Sequence, residues 1–495
     1  MKANYFVTSN TATLFWDKPD AADVSTVYEI YLNGKKIGET AKTHYIVSDL
    51  NPEQNLSVKI KSSVFSDALE IVTNKEKCKL DVTKAPYFAI GDGKTMNREI
   101  LQKAIDDCTS EQVLYFPRGV YMTGALRLHS DMEIYLEEGA VLQGTDDPED
   151  YLPRIWSRFE GTELSCYASV LNLGELDRNG GYSCKNVLIH GKGTIASCGQ
   201  VLGDKIIERE REALKEYLAE LGDKIKECEN NDTIPGRVRP RLINMSNAQN
   251  VVLSGLTFKN GCCWNIHMIY SDNVVTNDCT FISEGVHNGD GWDPDSSTNC
   301  TLFGCTFFTE DDSVAIKSGK NPEGNIINKP CKHIRVFDCV SKYGHGICMG
   351  SEMSGGIEDV KIWDCDIANS QFGIEIKGTK KRGGYVRDVH VRDCALPRIL
   401  FHSVGYNDDG ISAGVAPVFE NCSFEHISIR GTFYDAKKNF ISCDAIELCG
   451  FDEPGHELKN ITFSDVTLGD AEHPTKQTLF LRLCEGISFK NIKCL

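Results

Sequence analysis

The chain has 495 residues, about three times the length of an ordinary domain, so we expect either two domains or a fold that grows along one axis. Its 53 Lys and Arg against 71 Asp and Glu give a net charge of −18, a field that repels a nucleic-acid backbone and argues against such a partner. The composition, 41% hydrophobic and 25% charged, is that of a globular protein and excludes bulk disorder.

The first residues, MKANYFVTSNTATLFW, contain no apolar stretch of signal-peptide length, and no run of about 18 apolar residues occurs anywhere. The 21 cysteines are an odd number and cannot all pair within one chain. Cys262 and Cys263 are adjacent, which is the wrong spacing for two ligands of one tetrahedral zinc ion. We therefore expect free thiols, no metal, no membrane partner and a cytoplasmic location.

Residues 1–83 are predicted to form a small antiparallel β-sandwich. Apolar and polar residues alternate in TATLFW, VYEIYL, THYIVSDL and LSVKIKSSV, and the turn sequences DKPD, NGKK and NPEQ separate these runs. We expect a spacer or docking wall rather than a sugar-binding module. The spacing resembles that of a fibronectin type III module and is carried by Trp16, Tyr28, Tyr31, Tyr45, Leu50 and Pro52.

Two helical segments are predicted after this domain. The first is NREILQKAIDDC, residues 97–108, whose apolar residues recur at helical spacing. The second, residues 201–229, is long, amphipathic and charged, and it interrupts a β-rich region, so we interpret it as an insertion. A solvated decoration, a lid or an oligomer contact would fit it. The decoration is favoured because a helix with opposite charges on its surface is stable without a partner.

From about residue 249 onward, short β-rich runs such as NVVLSGLTF, NVVTNDCTF and NCTLFGCTF repeat at intervals of roughly 23 to 34 residues. This period predicts a solenoid of parallel strands with one coil per repeat, and we assign residues 84–495 to it. The runs open at Asn250, Asn273, Asn299, His333, Asp359, Asp388, His426, Asn460 and Gly486.

The same alignment accounts for five cysteines. Equivalent positions of successive coils stack, so the residues six positions after each opening residue are expected to form one interior ladder of small apolar side chains. Cysteine is therefore interpreted here as a packing residue rather than as a ligand or a nucleophile. The ladder is Leu256, Cys279, Cys305, Cys339, Cys365, Cys394, Thr432, Val466 and Ile492.

Carboxylates cluster in two neighbouring coils. Asp290 and Asp311 are 21 residues apart, close to one coil, so they are expected to lie side by side, with Asp312 next to them. The following coils supply His345 and Lys377. Hydrolysis of a glycosidic bond needs one carboxylic acid and one carboxylate, and crowded carboxylates raise one another's pKa, so that one stays protonated.

These segments resemble the four signatures of glycoside hydrolase family 28, the polygalacturonases and their relatives, which are Asn-Thr-Asp, Asp-Asp preceded by Gly or Gln, Gly-His-Gly and Arg-Ile-Lys. The resemblance extends from about residue 86 to the C-terminus and implies an all-β, right-handed parallel β-helix, as the repeats already indicate. The matching segments are Asn288-Gly289-Asp290, Glu310-Asp311-Asp312, Gly344-His345-Gly346 and Glu375-Ile376-Lys377.

Carried over residue by residue, the resemblance implies Asp311 as the general acid. It implies Asp290 and Asp312 as the pair that holds and deprotonates water, with inversion at the anomeric carbon. His345 would help to set the protonation of the acid, and Lys377 would meet a substrate carboxylate. No cofactor and no metal are implied.

The family's Arg is replaced by Glu375, which would repel the carboxylate of a galacturonate downstream of the cut. Three interpretations stay open: that sugar is neutral, for example rhamnose; Lys380, Lys381 or Arg382 replaces the lost cation; or Glu375 pairs with one of these bases. Further substrate-binding candidates are Asn288, Trp264, Lys317 and Glu352.

The function expected from the resemblance is an inverting, exo-acting hydrolase of galacturonic-acid-containing oligosaccharides. The run GICMGSEMSGG, residues 346–356, is similar to that of bacterial family members that act from chain ends. Alternatives are a member that cleaves next to a neutral sugar, a pectate-lyase-like enzyme, which would use an Arg base and often calcium, and a catalytically silent carbohydrate-binding β-helix. The sequence makes no prediction of oligomeric state.

Overall fold

The computed structural model describes residues 2–228, 230–405, 410–435, 439–469 and 478–495. The chain divides into two compact units, Met1–Lys79 with Glu111–Val113, and Leu80–Ser110 with Leu114–Leu495. Among the described residues, no helix is long and apolar enough to cross a membrane.

The first unit consists of two small antiparallel sheets, of order β1-β2-β5 and β4-β3-β6-β7, so the predicted antiparallel sandwich is confirmed. In its core, the rings of Trp16 and Tyr28 lie 5.1 Å apart, edge to face. Tyr31 and Tyr45 are only half-buried. The closer resemblance to fibronectin type III stays a prediction. The strands are β1 (Asn4–Val7), β2 (Ala12–Phe15), β3 (Tyr28–Leu32), β4 (Lys35–Thr40), β5 (His44–Val47), β6 (Asn55–Lys61) and β7 (Ser66–Val72).

The remaining elements follow in chain order, beside two 3-10 helices at Pro148–Tyr151 and Gly222–Glu227. Up to the end of the helical insertion they are β8 (Cys78–Asp81), β9 (Asp92–Met96), α1 (Arg98–Asp107), β10 (Gln112–Phe116), β11 (Gly119–Thr123), β12 (Leu126–Leu128), β13 (Met132–Leu136), β14 (Ala140–Gly144), β15 (Ile155–Phe159), β16 (Thr162–Cys166), β17 (Leu171–Leu173), β18 (Cys184–Gly191), β19 (Thr194–Ala196), α2 (Gln200–Ala213), α3 (Lys215–Leu221) and α4 (Thr233–Gly236).

After the insertion come β20 (Ile243–Ser246), β21 (Ala248–Ser254), β22 (Thr257–Lys259), β23 (Ile266–Ile269), β24 (Asp272–Asn277), β25 (Thr280–Ile282), β26 (Trp292–Asp295), β27 (Thr298–Phe303), β28 (Thr306–Phe308), β29 (Val314–Ile316), α5 (Glu323–Ile327), β30 (Cys331–Phe337), β31 (Val340–Tyr343), β32 (Gly346–Met349), β33 (Ile357–Trp363), β34 (Gly373–Gly378), β35 (Tyr385–Arg392), β36 (Ala395–Leu396) and β37 (Ile399–Ser403). The last strands are β38 (Val418–Glu425), β39 (Ser428–Ile429), β40 (Thr432–Tyr434), β41 (Phe440–Ser442), β42 (Ile446–Cys449), β43 (Leu458–Leu468), β44 (Leu479–Arg482), β45 (Cys484–Glu485) and β46 (Ser488–Cys494).

The second unit is a parallel β-helix. Its strands form three stacked sheets, of which one runs β9-β11-β14-β19-β22-β25-β28-β31 and another β12-β17-β20-β23-β26-β29-β32-β34-β37-β42-β44. In the longest sheet, Val251, Val274 and Cys300 of successive coils pair in register and are fully buried. Each coil therefore adds one strand to each sheet and one layer to the core, which confirms the predicted solenoid.

The polar residues that open the repeats sit at left-handed turns. Asn250 has φ 56°, His333 has φ 58° and Asp359 has φ 52°, a region that Asn, Asp and His adopt more readily than other side chains. The turns also bond along the stack, since the Asn273 side-chain amide donates to the side-chain oxygen of Asn250 at 2.8 Å. The polar positions of the repeat therefore mark corners of the coil.

One predicted opening residue is wrong. The residue in register with Asn460 is Asn421, whose φ is 56° and whose side-chain oxygen accepts from Asn460. His426 lies five residues later, at the next left-handed corner of the same coil. The interior ladder accordingly passes through Ile427, which is buried, rather than through Thr432. The two short β-rich runs of this coil have the same alternation, so the sequence pattern alone does not separate them.

The cysteine ladder is confirmed. The five thiols from Cys279 to Cys394 are at most 4% exposed, and each donates to the carbonyl two residues before it, as Cys279 does to Asn277 at 3.1 Å. All 21 cysteines are free. A buried thiol thus replaces a methyl group in the core while its weak donor is satisfied by the strand's own backbone.

Helix α1 matches its prediction, but the helical insertion is not one long helix. It breaks into α2, α3 and a 3-10 turn, and Gly222, at φ 53°, stands at the second break. Glu229, the predicted end, lies outside the described residues. Leu202, Ile206 and Ile207 of α2 are buried, so this helix packs on the solenoid and is not a solvated decoration.

Candidate active site

The sheet that runs from β12 to β44 forms the floor of a cleft. Its strands turn every second side chain outward, and residues in register at these outward positions form a row that we call the floor ladder. Because the strands are parallel and in register, consecutive members are one strand spacing apart. The floor ladder is Arg127, Asn172, Asn244, His267, Asp293, Ala315, Cys348, Glu375, Leu400, Glu447 and Phe480.

A cavity of about 410 Å³ lies over the middle of this floor. Glu160, at the tip of the β15–β16 hairpin, and Thr233, at the end of the helical insertion, line it as walls. All ten residues predicted for the site line this one cavity. They are Asp290, Asp311, Asp312, His345, Lys377, Glu375, Asn288, Trp264, Lys317 and Glu352.

The acids and the lysines reach the cavity from opposite ends of the floor strands. Asp290, Asp312 and His345 lie in the turns that precede β26, β29 and β32. Lys317 follows β29, and Lys377 stands near the end of β34. The sequence intervals of about one coil thus become neighbouring positions at one edge of the sheet, as predicted.

Asp311 and His345 form an ion pair at the mouth of the cavity. The His345 Nδ1 atom lies 2.9 Å from Oδ1 of Asp311, and both side chains are about one-quarter exposed. The Asp311 carboxylate raises the pKa of His345 to about 9, and the imidazolium holds the pKa of Asp311 well below its usual value. The pair titrates as a unit and retains one proton through neutral pH.

Asp290 lies in a buried cluster that contains a carboxylate which the sequence analysis did not single out. Lys317 Nζ donates to Asp290 at 3.2 Å and lies 3.5 Å from Asp293, a fully buried member of the floor ladder. Burial and the charge of Asp293 raise the pKa of Asp290 well above its usual value. Burial also raises the pKa of Asp293 to about 7. These effects favour the protonated form of Asp290.

Asp312 has the intermediate acidity. Burial and the neighbouring Asp311 raise its pKa to about 6, while Lys377, whose Nζ lies 3.7 Å away, opposes the shift. Its buried Oδ1 has no hydrogen-bond donor among the described residues, which disfavours the charged form. At neutral pH Asp312 is the carboxylate of this group that is ionised and still able to accept a proton.

The replacement of the family Arg by Glu375 is accommodated by an arrangement that the sequence did not indicate. Glu375 accepts from Lys377 at 2.8 Å and from His402 at 2.8 Å, where His402 is in register with Lys377 on the next strand. The Lys377 ammonium and the hydrogen bond with His402 lower the pKa of Glu375 to about 2, against the effect of its burial. Arg382, expected as one candidate partner, donates to Ser351 and Asn321.

Gly350 allows the two lysine-bearing strands on either side of it to approach closely. In the register of the floor strands it stands between Lys317 and Lys377, with φ 99°. A Cβ atom at this position would lie 2.0 Å from the carbonyl oxygen of Lys377. The position therefore requires glycine both for its backbone conformation and for the close approach of the next strand.

Trp264 lies below the hairpin rather than open to the groove. Its ring stacks on Phe159 of β15 at 4.8 Å and meets His267 edge to face, and it is only 3% exposed. Lys317 Nζ lies 4.7 Å from the centre of the same ring. Trp264 thus positions Lys317 from one side while Asp290 holds it from the other.

The hairpin is anchored by a buried ion network. Arg158 of β15, 1% exposed, donates to Asp295 at 2.6 Å and lies 3.5 Å from Glu163. Tyr270 accepts from Arg158 and donates to Glu163 at 2.6 Å. The mutual pairing of these buried charges offsets the cost of their burial, so the hairpin and strand β26 are held in one geometry.

Asn288 and Glu352 flank the cavity. The Asn288 side-chain oxygen accepts from Arg239 at 2.7 Å, and Arg239 also donates to the carbonyl of His287. Gln200 of α2 accepts from the His287 amide, so the helical insertion supports this loop. Glu352 lies 3.8 Å from Lys317.

Two sets of side chains could ligate a cation. In each set the ligand atoms lie within 4.8 Å of one another. Lys317 lies beside Asp290, and Lys377 lies beside Asp312. The chain itself therefore compensates part of the negative charge of this cavity. The sets are Asp311, Asp312 and His345, and Asp312, Cys348 and Glu375.

Residues 172–409 match the model of the family described as "Glycosyl hydrolases family 28". The matched segment is 238 of the 495 residues and contains all ten residues predicted for the site, so this part of the chain is similar to family 28. The resemblance predicted from the four segments is thereby confirmed, and the family to which it points is one of glycosyl hydrolases.

Named relatives extend the match. A probable polygalacturonase of Vitis vinifera is 32% identical over 63% of this chain and 59% of its own length, so the chain spans less than two-thirds of that relative. An exo-poly-alpha-D-galacturonosidase of Dickeya chrysanthemi is 24% identical over 98% of this chain and 89% of its own. The structure of the Yersinia enterocolitica family 28 exopolygalacturonase superposes with a TM-score of 0.80 at 21% identity, covering 99% and 98% of the two chains, which confirms the fold class.

Proposed function

We propose that this protein is an inverting, exo-acting hydrolase of galacturonic-acid-containing oligosaccharides. The observation that carries the proposal is the cavity in which Asp311, Asp290 and Asp312 meet two lysines between the hairpin and the insertion. Full-length similarity to an exo-poly-alpha-D-galacturonosidase supports the substrate class and the mode of attack.

Asp311 with His345 supplies the acid. The pair lies 2.9 Å apart at the mouth of the cavity and retains one proton up to a pH of about 9. Donation of this proton through Asp311 to the glycosidic oxygen leaves the pair with a net charge of −1, as a deprotonated carboxylate beside a neutral imidazole. The pair then takes up a proton from solvent, and His345 keeps that proton in the pair until the next turnover.

Asp312 and Asp290 supply the base side. Asp312, with a pKa of about 6, accepts the proton of the attacking water, and Asp290, whose pKa is raised by burial, holds that water. Attack by water on the face opposite to the acid inverts the anomeric carbon in one displacement. Lys317 and Lys377 hold these carboxylates in place and offer positive charge to a uronate.

Exo action is supported by the walls. The hairpin tip at Glu160 and the segment at Thr233 border the cavity, and the hairpin is fixed to the floor through Arg158. A substrate chain that meets these walls offers its end rather than its middle to Asp311.

A second candidate is cleavage next to a neutral sugar. Glu375 takes up much of the positive charge of Lys377 at 2.8 Å, which weakens any attraction for a uronate in the downstream position. A lyase is less well supported, because the Arg that lines the cavity, Arg382, is buried and donates to Ser351 and Asn321.

The decisive experiment incubates the enzyme with homogalacturonan oligomers, rhamnogalacturonan oligomers and small pectic glycosides. Release of galacturonic acid alone, of inverted anomeric configuration in early NMR spectra, is expected. The Asp311→Asn variant should lose about 10²- to 10⁴-fold in kcat, whereas Asp106→Asn, an exposed Asp on α1, should not. Ultraviolet absorbance of an unsaturated product, retained configuration, or full activity of Asp311→Asn would each contradict the proposal.

A further inference from the structure

A second cavity, of about 870 Å³, lies on the other side of the hairpin from the active site. Its floor includes Arg127 and Asn172, the first two members of the floor ladder. Arg127 and Asp293 are four strand spacings apart, or about 19 Å. The two cavities therefore share one sheet face, with the β15–β16 hairpin between them.

The hairpin contributes to both cavities. Glu160 at its tip lines the active-site cavity, while Trp156, earlier on β15, lines the second. Between them, Ser157 donates to Asn244 of the floor ladder at 2.7 Å, which fixes the strand over the sheet. The backbone that carries Trp156 is thus as rigidly placed as the wall of the active site.

Trp156 is the exposed tryptophan of this chain. Its side chain is 53% exposed, whereas each of the other four is at most 3% exposed. In the described part of the chain, no aromatic or cationic group packs on its ring. A large apolar ring held rigidly at the rim of a cavity is a platform for the apolar face of a sugar.

The lining of this cavity is basic, although the chain as a whole carries a charge of −18. The charged or titratable residues among its lining are Arg127, Arg154, His129 and Glu175. Arg127 is exposed, and within the described ranges its guanidinium has no ion-pair partner.

Arg154 is held in place at the lining of the same cavity. It pairs with Glu210 and lies over the ring of Tyr167 at 4.6 Å, with about one-third of its side chain still exposed. The site thus combines a ring for stacking with two guanidinium groups, which match carboxylates in a planar geometry.

We propose that this cavity is a second sugar-binding site, separate from the active site, which takes an acidic oligosaccharide by stacking on Trp156 and by pairing carboxylates with Arg127 and Arg154. It would hold a distant part of a long acidic chain, or a second chain, on the enzyme. The choice of galacturonate oligomers as the probe rests on the proposed function, but binding at this site does not require hydrolysis.

Because the other tryptophans are buried, acrylamide quenching of tryptophan fluorescence reports on Trp156. The experiment uses Asp311→Asn, in which hydrolysis is suppressed, and subtracts the same measurement on Asp311→Asn/Trp156→Phe. Tetragalacturonate is expected to lower the quenching constant of the Trp156 component at least about twofold, and Arg127→Gln to abolish this protection. A maltotetraose control, which has no carboxylate, should not protect it.

Steady-state kinetics test whether the second site contributes to the binding of long substrates. Trp156→Ala is expected to raise KM for polygalacturonate about two- to tenfold and to leave kcat and KM for digalacturonate unchanged. Tyr217→Ala on α3, which removes an aromatic side chain that is 51% exposed, should change neither. Absent protection of Trp156 by tetragalacturonate, or equal protection by maltotetraose, would overturn the second site. Either result would leave the proposed hydrolysis, measured by product release, untouched.

Discussion

The Lys377 ammonium lies 2.8 Å from the Glu375 carboxylate of the same strand, so the cation offered to substrate is paired before substrate arrives. Glu375 also raises the pKa of Asp312 as a like charge. Glu375→Gln is therefore expected to shift the acid limb of the kcat/KM profile to lower pH, by up to about one unit. Glu447→Gln, two strands further along the floor ladder, is the control and should leave the limb in place. A shift to higher pH would contradict this electrostatic assignment.

The pH profile itself should be bell-shaped. Asp312 must be ionised to accept a proton, so activity is lost as pH falls through about 6. The Asp311–His345 pair must hold a proton, so activity is lost as pH rises through about 9. His345→Gln removes the raised imidazole pKa and is expected to move the alkaline limb to lower pH, with a loss of kcat. An unchanged alkaline limb in that variant would show that another group sets it.

Gly350→Ala tests whether the close approach of strand β34 to Gly350 holds Lys377 in position. The added Cβ would lie 2.0 Å from the Lys377 carbonyl oxygen, at a backbone φ of 99°. We expect Lys377 to be displaced and kcat/KM to fall at least about tenfold. Gly414→Ala has a comparable φ of 89° but open space around its Cβ, so it controls for backbone strain alone. If both variants lost activity equally, the close approach of the strands would not be the cause.

Arg158 should contribute strongly to stability. Replacement by Met leaves Asp295 buried without its arginine, while Glu163 keeps Arg178 at 3.0 Å, and costs about 3–5 kcal/mol in the free energy of unfolding. The exposed pair of Arg209 and Glu149 offers the matched control, since Arg209→Met should cost less than about 1 kcal/mol. Urea unfolding measures both, and equal effects would contradict the buried-network interpretation. Asp295→Asn added to Arg158→Met should recover part of the loss.

Asp293 should make stability fall as pH rises. Its pKa is about 7 in the folded chain against 3.8 for an unperturbed Asp, so the folded state binds more protons between these values. Asp293→Asn removes this titration and should gain up to about 4 kcal/mol on wild type as pH rises from 4 to 7. Thermal unfolding at the two pH values gives the comparison. A constant difference would show that Asp293 stays ionised throughout.

The parallel solenoid and the positions of its catalytic residues could be predicted from sequence, because both follow the period of the repeat. Asp290, Asp311 and His345 are about one coil apart, and a period close to the coil length places them at one edge of the sheet. The αL corners and the thiol ladder follow from the same periodicity. Where an insertion lengthened a coil, as before Asn421, the alignment failed by five residues.

Interactions that cross the repeat could not be predicted. Arg158 and Asp295 are 137 residues apart, and the β15–β16 hairpin that brings them together is not part of the repeat. His402 pairs with Glu375 through a floor register that the short repeats do not define. The sequence does not distinguish Asp293, because it forms part of a carboxylate-rich segment in which only the turn residues match the family signatures.

The thiol ladder allows the local unfolding of the solenoid to be measured one coil at a time. Each of Cys279, Cys305, Cys339, Cys365 and Cys394 is sealed inside a different turn, so an alkylating reagent can modify it only when that turn opens. Mass spectrometry of peptides after pulsed alkylation in graded urea would rank the turns by their opening free energies. Such a profile would show whether unfolding starts from an end of the stack or near the turns that carry Asp290, Asp311 and His345.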